Sequence, residues 1–93
     1  MIVTTTNTVQ GRSISEYLGI VFGEEVASHG FFSGSVEGSF IKLRNNALNK
    51  MCQNAAGLGA NAVVGVSIDY TSIDVTNSDD SMMVTVTGTA VRI

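Results

Sequence analysis

Apolar residues recur along this chain with two rhythms. From Phe40 onward, Phe40, Leu43, Ala47, Leu48, Met51, Ala55 and Leu58 follow at three- and four-residue steps. That spacing places them on one face of an amphipathic helix. Lys42, Asn45, Asn46, Asn49, Gln53 and Asn54 fall on the opposite side. Ser39 is placed to act as the N-cap, and Gly57 and Gly59 to stop the helix in a left-handed C-cap. Beyond Gly59 the rhythm changes to two. Val64, Val66, Ile68 and Tyr70 alternate with Val63, Gly65, Ser67, Asp69 and Thr71. Then Met82, Val84, Val86 and Ala90 alternate with Met83, Thr85, Thr87, Thr89 and Val91. Each run reads as a strand with an apolar face toward the helix and a small-polar face opposite. TNSDDS, Thr76 to Ser81, reads as the loop between them.

The first half is less regular. Met1 to Thr6 reads as a short edge strand, and VQGR, Val9 to Arg12, as a turn. Ile14 to Val26 is rich in β-branched and aromatic residues and predicts a strand. Gly19 and Gly23 inside it point to a bulge or a close backbone approach. Tyr17, Leu18, Ile20, Val21 and Phe22 put apolar side chains on both its faces, the pattern of a strand covered on both sides. Ser28 to Gly38 is too glycine-rich to predict a helix. It reads as a loop with Phe31 and Phe32 as anchors. Residues 1–93 thus form a single α+β domain, a β-α-β-β unit with an antiparallel sheet and one packed helix. No proline, linker or internal repeat interrupts it.

Composition adds an expectation of self-association. Charged residues make up 14% of the chain, against about 25% in an ordinary soluble domain. Thr, Ser, Asn and Gly take their place. A small lone domain needs a charged surface to stay dispersed, so part of this one is expected to be covered by copies of itself. Net charge is −3 and the five cations are scattered, which argues against nucleic acid as a partner, since duplexes reward clustered Lys and Arg. No apolar run approaches the ~20 residues of a membrane helix. The first residues lack the basic and apolar regions of a signal peptide, and Cys52 is the single cysteine. A cytoplasmic setting is the expectation.

Candidate chemistry is sparse. GLGANAVVG ends a helix and opens a strand, the reverse of a dinucleotide loop, where a helix N-terminus holds the phosphates. His29 and Cys52 are the only soft metal ligands, too few for a closed zinc site, so no metal residues are assigned. No serine lies in a nucleophile-elbow context, and no catalytic residues or cofactor are assigned. Carboxylates remain. Glu16, Glu24 and Glu25 accompany the first long strand, and Asp69 falls in the middle of the second, next to Tyr70. Aspartate is depleted in strands, so Asp69 calls for solvent, a donor or a ligand. The candidate ligand-binding residues are Glu16, Tyr17, Glu24, Asp69, Tyr70 and Thr87.

TTT near the start, SEYLGIVFGE, AAGLGANAVVG, VSIDY and MMVTVTGTAV follow one another in this order. Together they resemble the YbjQ-like family of small bacterial proteins, which carries a heavy-metal-binding label. The resemblance implies a dodecin-like β-α-β-β subunit assembled as a ring, usually a pentamer. Family members have a longer central segment, rich in arginine and glycine, leading into a charged helix. Here SHGFFSGSVEGSF is shorter and lacks arginine, and Arg44 alone keeps the basic position of the helix. The reading is a non-enzymatic homo-oligomeric binding module with inter-subunit clefts for a small polar ligand. The alternative is the heavy-metal binding that the label implies.

Overall fold

The structure is a computed structural model that describes residues 1–27, 36–75 and 79–93. Its elements are β1 (Ile2–Val3), β2 (Glu16–Ala27), α1 (Val36–Gly57), β3 (Ala62–Val75) and β4 (Asp79–Arg92). They form one four-stranded sheet in the order β1-β3-β4-β2, with α1 on one face. The domain is α+β. The sheet, however, is mixed rather than wholly antiparallel, because β1 joins β3 in parallel. Past β1 the N-terminal segment continues along the same edge, where Thr6 O accepts from Gly65 N at 2.8 Å and Thr4 O from Val66 N at 3.1 Å.

The helix face follows the spacing at Leu43, Ala47, Met51 and Ala55, which are fully buried, whereas Leu58 lies past the end of the helix and is exposed. The four buried residues pack on Val21, Val63, Val66, Val84, Val86 and Ala90 of the sheet. The layers approach closely at Gly23, where a Cβ would overlap the Ala47 carbonyl oxygen. That is the close backbone approach a glycine inside a strand implies. The helix closes in a Schellman motif: Ala60 N donates to Ala55 O at 3.1 Å and Gly59 N to Ala56 O at 2.9 Å. Gly59 takes φ +85°, so it, rather than Gly57, is the left-handed cap.

Three boundaries and one phase differ from expectation. The helix begins at Val36, so Val36 to Gly38 are helical and Ser39 lies inside the helix rather than capping it. The rest of the expected Ser28–Gly38 loop, with Phe31 and Phe32, lies outside the described residues. β2 runs from Glu16 to Ala27 rather than from Ile14 to Val26. Asp79, Asp80 and Ser81 belong to β4, in register with Val75, Asp74 and Ile73; of the expected loop, 76–78 lie outside the described residues.

The phase difference is in β3. The register shifts between Val64 and Ser67, at Gly65 with φ +62°, and the bulge moves the side-chain alternation by one. Val63 therefore joins Val66 and Ile68 against the helix. Val64 turns to the other face with Ala62 and Val91, where Val9, Ile14 and Ile93 cover them. The VQGR turn is present, with Arg12 N bonded to Val9 O at 3.1 Å. This N-terminal excursion folds over one end of the sheet's second face and leaves the other end open.

The open sheet face and its edge

Cross-strand register assembles the open face in rows. Ile20, Thr89 and Val64 form the row next to the covered end. Phe22, Thr87 and Ser67 follow, then Glu24, Thr85 and Asp69, then Val26, Met83 and Thr71. Residues directly opposite in a ladder share a face, so the two carboxylates of the third row flank Thr85 from either side. The face has two stripes. Along β2 it is uncovered and, apart from Glu24, apolar: Ile20 is 69% exposed, Phe22 50% and Val26 56%. Along β3 it is small and polar, with Ser67, Asp69 and Thr71 exposed.

Of the six candidate residues, Glu24, Asp69 and Thr87 come together on this face. Tyr17 reaches it at its end, in register with Val91 and 71% exposed. Between Tyr17 and Gly19 the register shifts, with Gly19 at φ +131°. Tyr70 does not join them. It lies on the helix side, its ring edge-on to Phe40 at a centroid distance of 6.1 Å. Glu16 pairs in register with Arg92 at the start of β2, away from the carboxylate row.

The free edge of β2 is the second feature, and pattern reading missed it. Asn54 Nδ2 donates to Phe22 O at 2.9 Å, and Lys50 Nζ donates to Glu24 O at 3.0 Å. Lys50 also pairs with Glu25 Oε2 at 2.5 Å. Two helix side chains thus reach over the edge and occupy carbonyls that would otherwise invite another strand. Phe22, Gly23, Glu24, Lys50 and Asn54 line an open groove of about 280 Å³ there. No local signal in the sequence foretells it, because it depends on how α1 lies against β2.

At the junction of helix and sheet, Asn61 clamps the end of the last strand. Its Oδ1 accepts from Ile93 N at 2.8 Å and its Nδ2 donates to Ile93 O at 3.0 Å. Arg92 Nη1 donates to Gly59 O at 2.6 Å, tying β4 to the helix cap.

A two-layer α+β domain with one sheet face buried and the other largely bare is the class this arrangement defines. The chain belongs to the YbjQ family: the family model described as "Putative heavy-metal-binding" matches it in two pieces, residues 1–38 and 33–93. Relatives agree along their whole length. The UPF0145 protein of Geobacillus kaustophilus is 41% identical, covering 100% of this chain and 98% of that one. A UPF0145 protein of Clostridium botulinum is 42% identical, covering 98% and 97%. The crystal structure of a DUF74-family protein of unknown function from Pediococcus pentosaceus has the same fold, with a TM-score of 0.76 over 100% of this chain and 97% of that one, at 20% identity.

The alignment to the Geobacillus protein runs over 107 positions, 14 more than this chain has residues. The two pieces of the family match meet at residues 33–38.

The family description implies a heavy metal, and the described residues do not fit one. No three His, Cys, Asp or Glu side chains converge among them. Heavy metals favour thiolate ligands, and Cys52 is packed against the core on α1. His29 lies outside the described residues. No helix among the described residues is long and apolar enough to cross a membrane.

Proposed function

We propose that this protein is a non-enzymatic, homo-oligomeric binding module that holds a small polar ligand against the open sheet face. The observation that supports this reading is the division of that face into two stripes. An apolar stripe of Ile20, Phe22 and Val26, uncovered in the single chain, is what a domain presents to another subunit. The adjoining stripe of Thr85, Thr87, Ser67 and Asp69 supplies hydroxyls and one carboxylate in regular array. Hydroxyls both donate and accept, so such a surface suits a polar molecule with several hydrogen-bonding groups and little net negative charge. Glu24 and Asp69, on either side of Thr85, repel anionic ligands. The copies assemble as a ring, five in number on the family resemblance, and the cleft lies where one copy meets the next.

Native mass spectrometry of freshly purified protein tests both halves. The expected result is an assembly of several 9.7 kDa chains carrying additional mass, which Asp69→Ala together with Thr87→Ala removes without changing the subunit number. An assembly of bare chains in every preparation would overturn the binding half, and a bare single chain would overturn both.

A further inference from the structure

The sheet has two long edges, and the chain treats them differently. Along β2, side chains of α1 reach over and occupy the Phe22 and Glu24 carbonyls. Along β3, the N-terminal segment holds the edge only as far as Val66, whose N–H donates to Thr4 O at 3.1 Å. β1 itself pairs with Ala62 and Val63 alone. From Ser67 to Val75, β3 is paired with β4 on one side. Among the described residues nothing pairs with its other side.

The ladder tells which groups that edge presents. Val66 turns its N–H outward, and backbone groups alternate in direction along a strand with antiparallel pairing. The N–H and C=O of Ile68, Tyr70 and Ser72 therefore point away from β4. Natural edges are blunted by Lys, by Pro, by a bulge or by a cover. This stretch contains neither Lys nor Pro, and the bulge at Gly65 comes before it. Ser67, Asp69, Tyr70, Thr71 and Ser72 are all exposed.

The side chains beside the edge define what fits there. On the open face they are Ser67, Asp69 and Thr71. On the helix side they are Ile68, half-buried, and Tyr70, 46% exposed and edge-on to Phe40. An added strand sets alternate side chains against each face, and opposite charges directly across a ladder stabilise it. The matching segment has cations on the Asp69 side and apolar residues on the Tyr70 side. A second β3 does not match, because it brings Asp69 and Asp74 and no Lys or Arg. Two cations alternate with apolar residues in this chain only at Ile41–Arg44, which is helical and has Leu43 buried.

We propose that the Ser67–Val75 edge of β3 takes an extended segment of another protein as an added strand. Lys or Arg at alternate positions of that segment face Asp69, and the apolar residues between them face Ile68 and Tyr70. Main-chain hydrogen bonds supply the affinity, and the alternation supplies the specificity. The contact needs neither the ligand nor the oligomer proposed above.

Fluorescence anisotropy of the wild-type protein with labelled acetyl-Val-Lys-Val-Lys-Val-Lys-Val-amide tests this. The expected result is saturable binding, absent when every Lys of the peptide is replaced by Glu. N-methylation of alternate amides decides whether the contact is a strand. Methyl groups on the set facing β3 are expected to weaken binding more than about tenfold, since each removes a hydrogen bond, and those on the other set to leave it unchanged. Ser72→Pro removes an outward donor while sparing the ladder to β4, and Asp69→Asn removes the charge. Each is expected to weaken binding about threefold or more, with native circular dichroism. If Ser72→Pro fails to fold, the two methylated peptides decide the matter on the wild-type protein. Equal binding by those two peptides would overturn the proposal. So would no binding of the Lys peptide, the outcome if a second copy already covers this edge.

Discussion

The two faces of the sheet come from the same three long strands and have opposite characters. Toward the helix, Val21, Val63, Val84, Val86 and Ala90 are buried at full packing against Leu43, Ala47, Met51 and Ala55. Away from it, a small cluster of Ala62, Val64 and Val91 is covered by the N-terminal segment, and the rest stays bare. The helix face holds the domain together. We propose that the bare half of the other face, with apolar side chains and Glu24 on β2 and hydroxyls and Asp69 on its neighbours, serves contacts beyond the chain. On that proposal, stability and function are separated by the thickness of one sheet, and substitutions on the two sides are expected to fail in different ways.

The largest effect is expected at Gly23, where the two layers touch. Gly23→Ala drives a methyl group into the Ala47 carbonyl, a backbone atom that cannot rotate away. The cost is about 3 kcal/mol, the upper end of ordinary overpacking, read as a lowered urea midpoint. A smaller effect is expected at the seam between helix and sheet. Asn61→Ala removes both bonds to Ile93 and costs about 1–3 kcal/mol at the usual net value per bond, measurable in the same titration. The smallest effect on the fold is expected on the open face. Phe22→Ser should change the stability of the single chain by no more than about 0.5 kcal/mol, yet change the mass of the assembly. Equal losses of stability at Gly23 and Phe22 would erase the distinction between the faces.

Much of this was legible along the chain. The three- and four-residue steps from Phe40 to Ala55 marked the helix and its buried side, because a helix face is set by spacing; Leu58, the next step, falls past the helix end and is exposed. The apolar residues on both sides of Ile14–Val26 marked a strand expected to be covered on both faces, whereas in the single chain Ile20 and Phe22 lie uncovered, with Glu24 on the same side. Glu24, Asp69 and Thr87 could be singled out one by one, but their common face depends on register, which no local pattern specifies. The start of β3 was misread for a related reason. Val63 and Val64 are equivalent in composition, and strict alternation put Val64 toward the helix. Gly65 takes a left-handed conformation and shifts the phase. Helix propensity likewise misplaced the start of α1, since Gly38 is tolerated within it. Tyr70 follows Asp69 in sequence, and for that reason points to the opposite side of the sheet.

The central claim is that the bare half of the sheet is an interface. Multi-angle light scattering of the wild-type protein beside Phe22→Ser, at equal micromolar concentration, tests it most directly. The account predicts a wild-type mass several times 9.7 kDa and a smaller species for the variant, with both folded. A wild-type mass of one chain, or an identical mass for the two proteins, would contradict it.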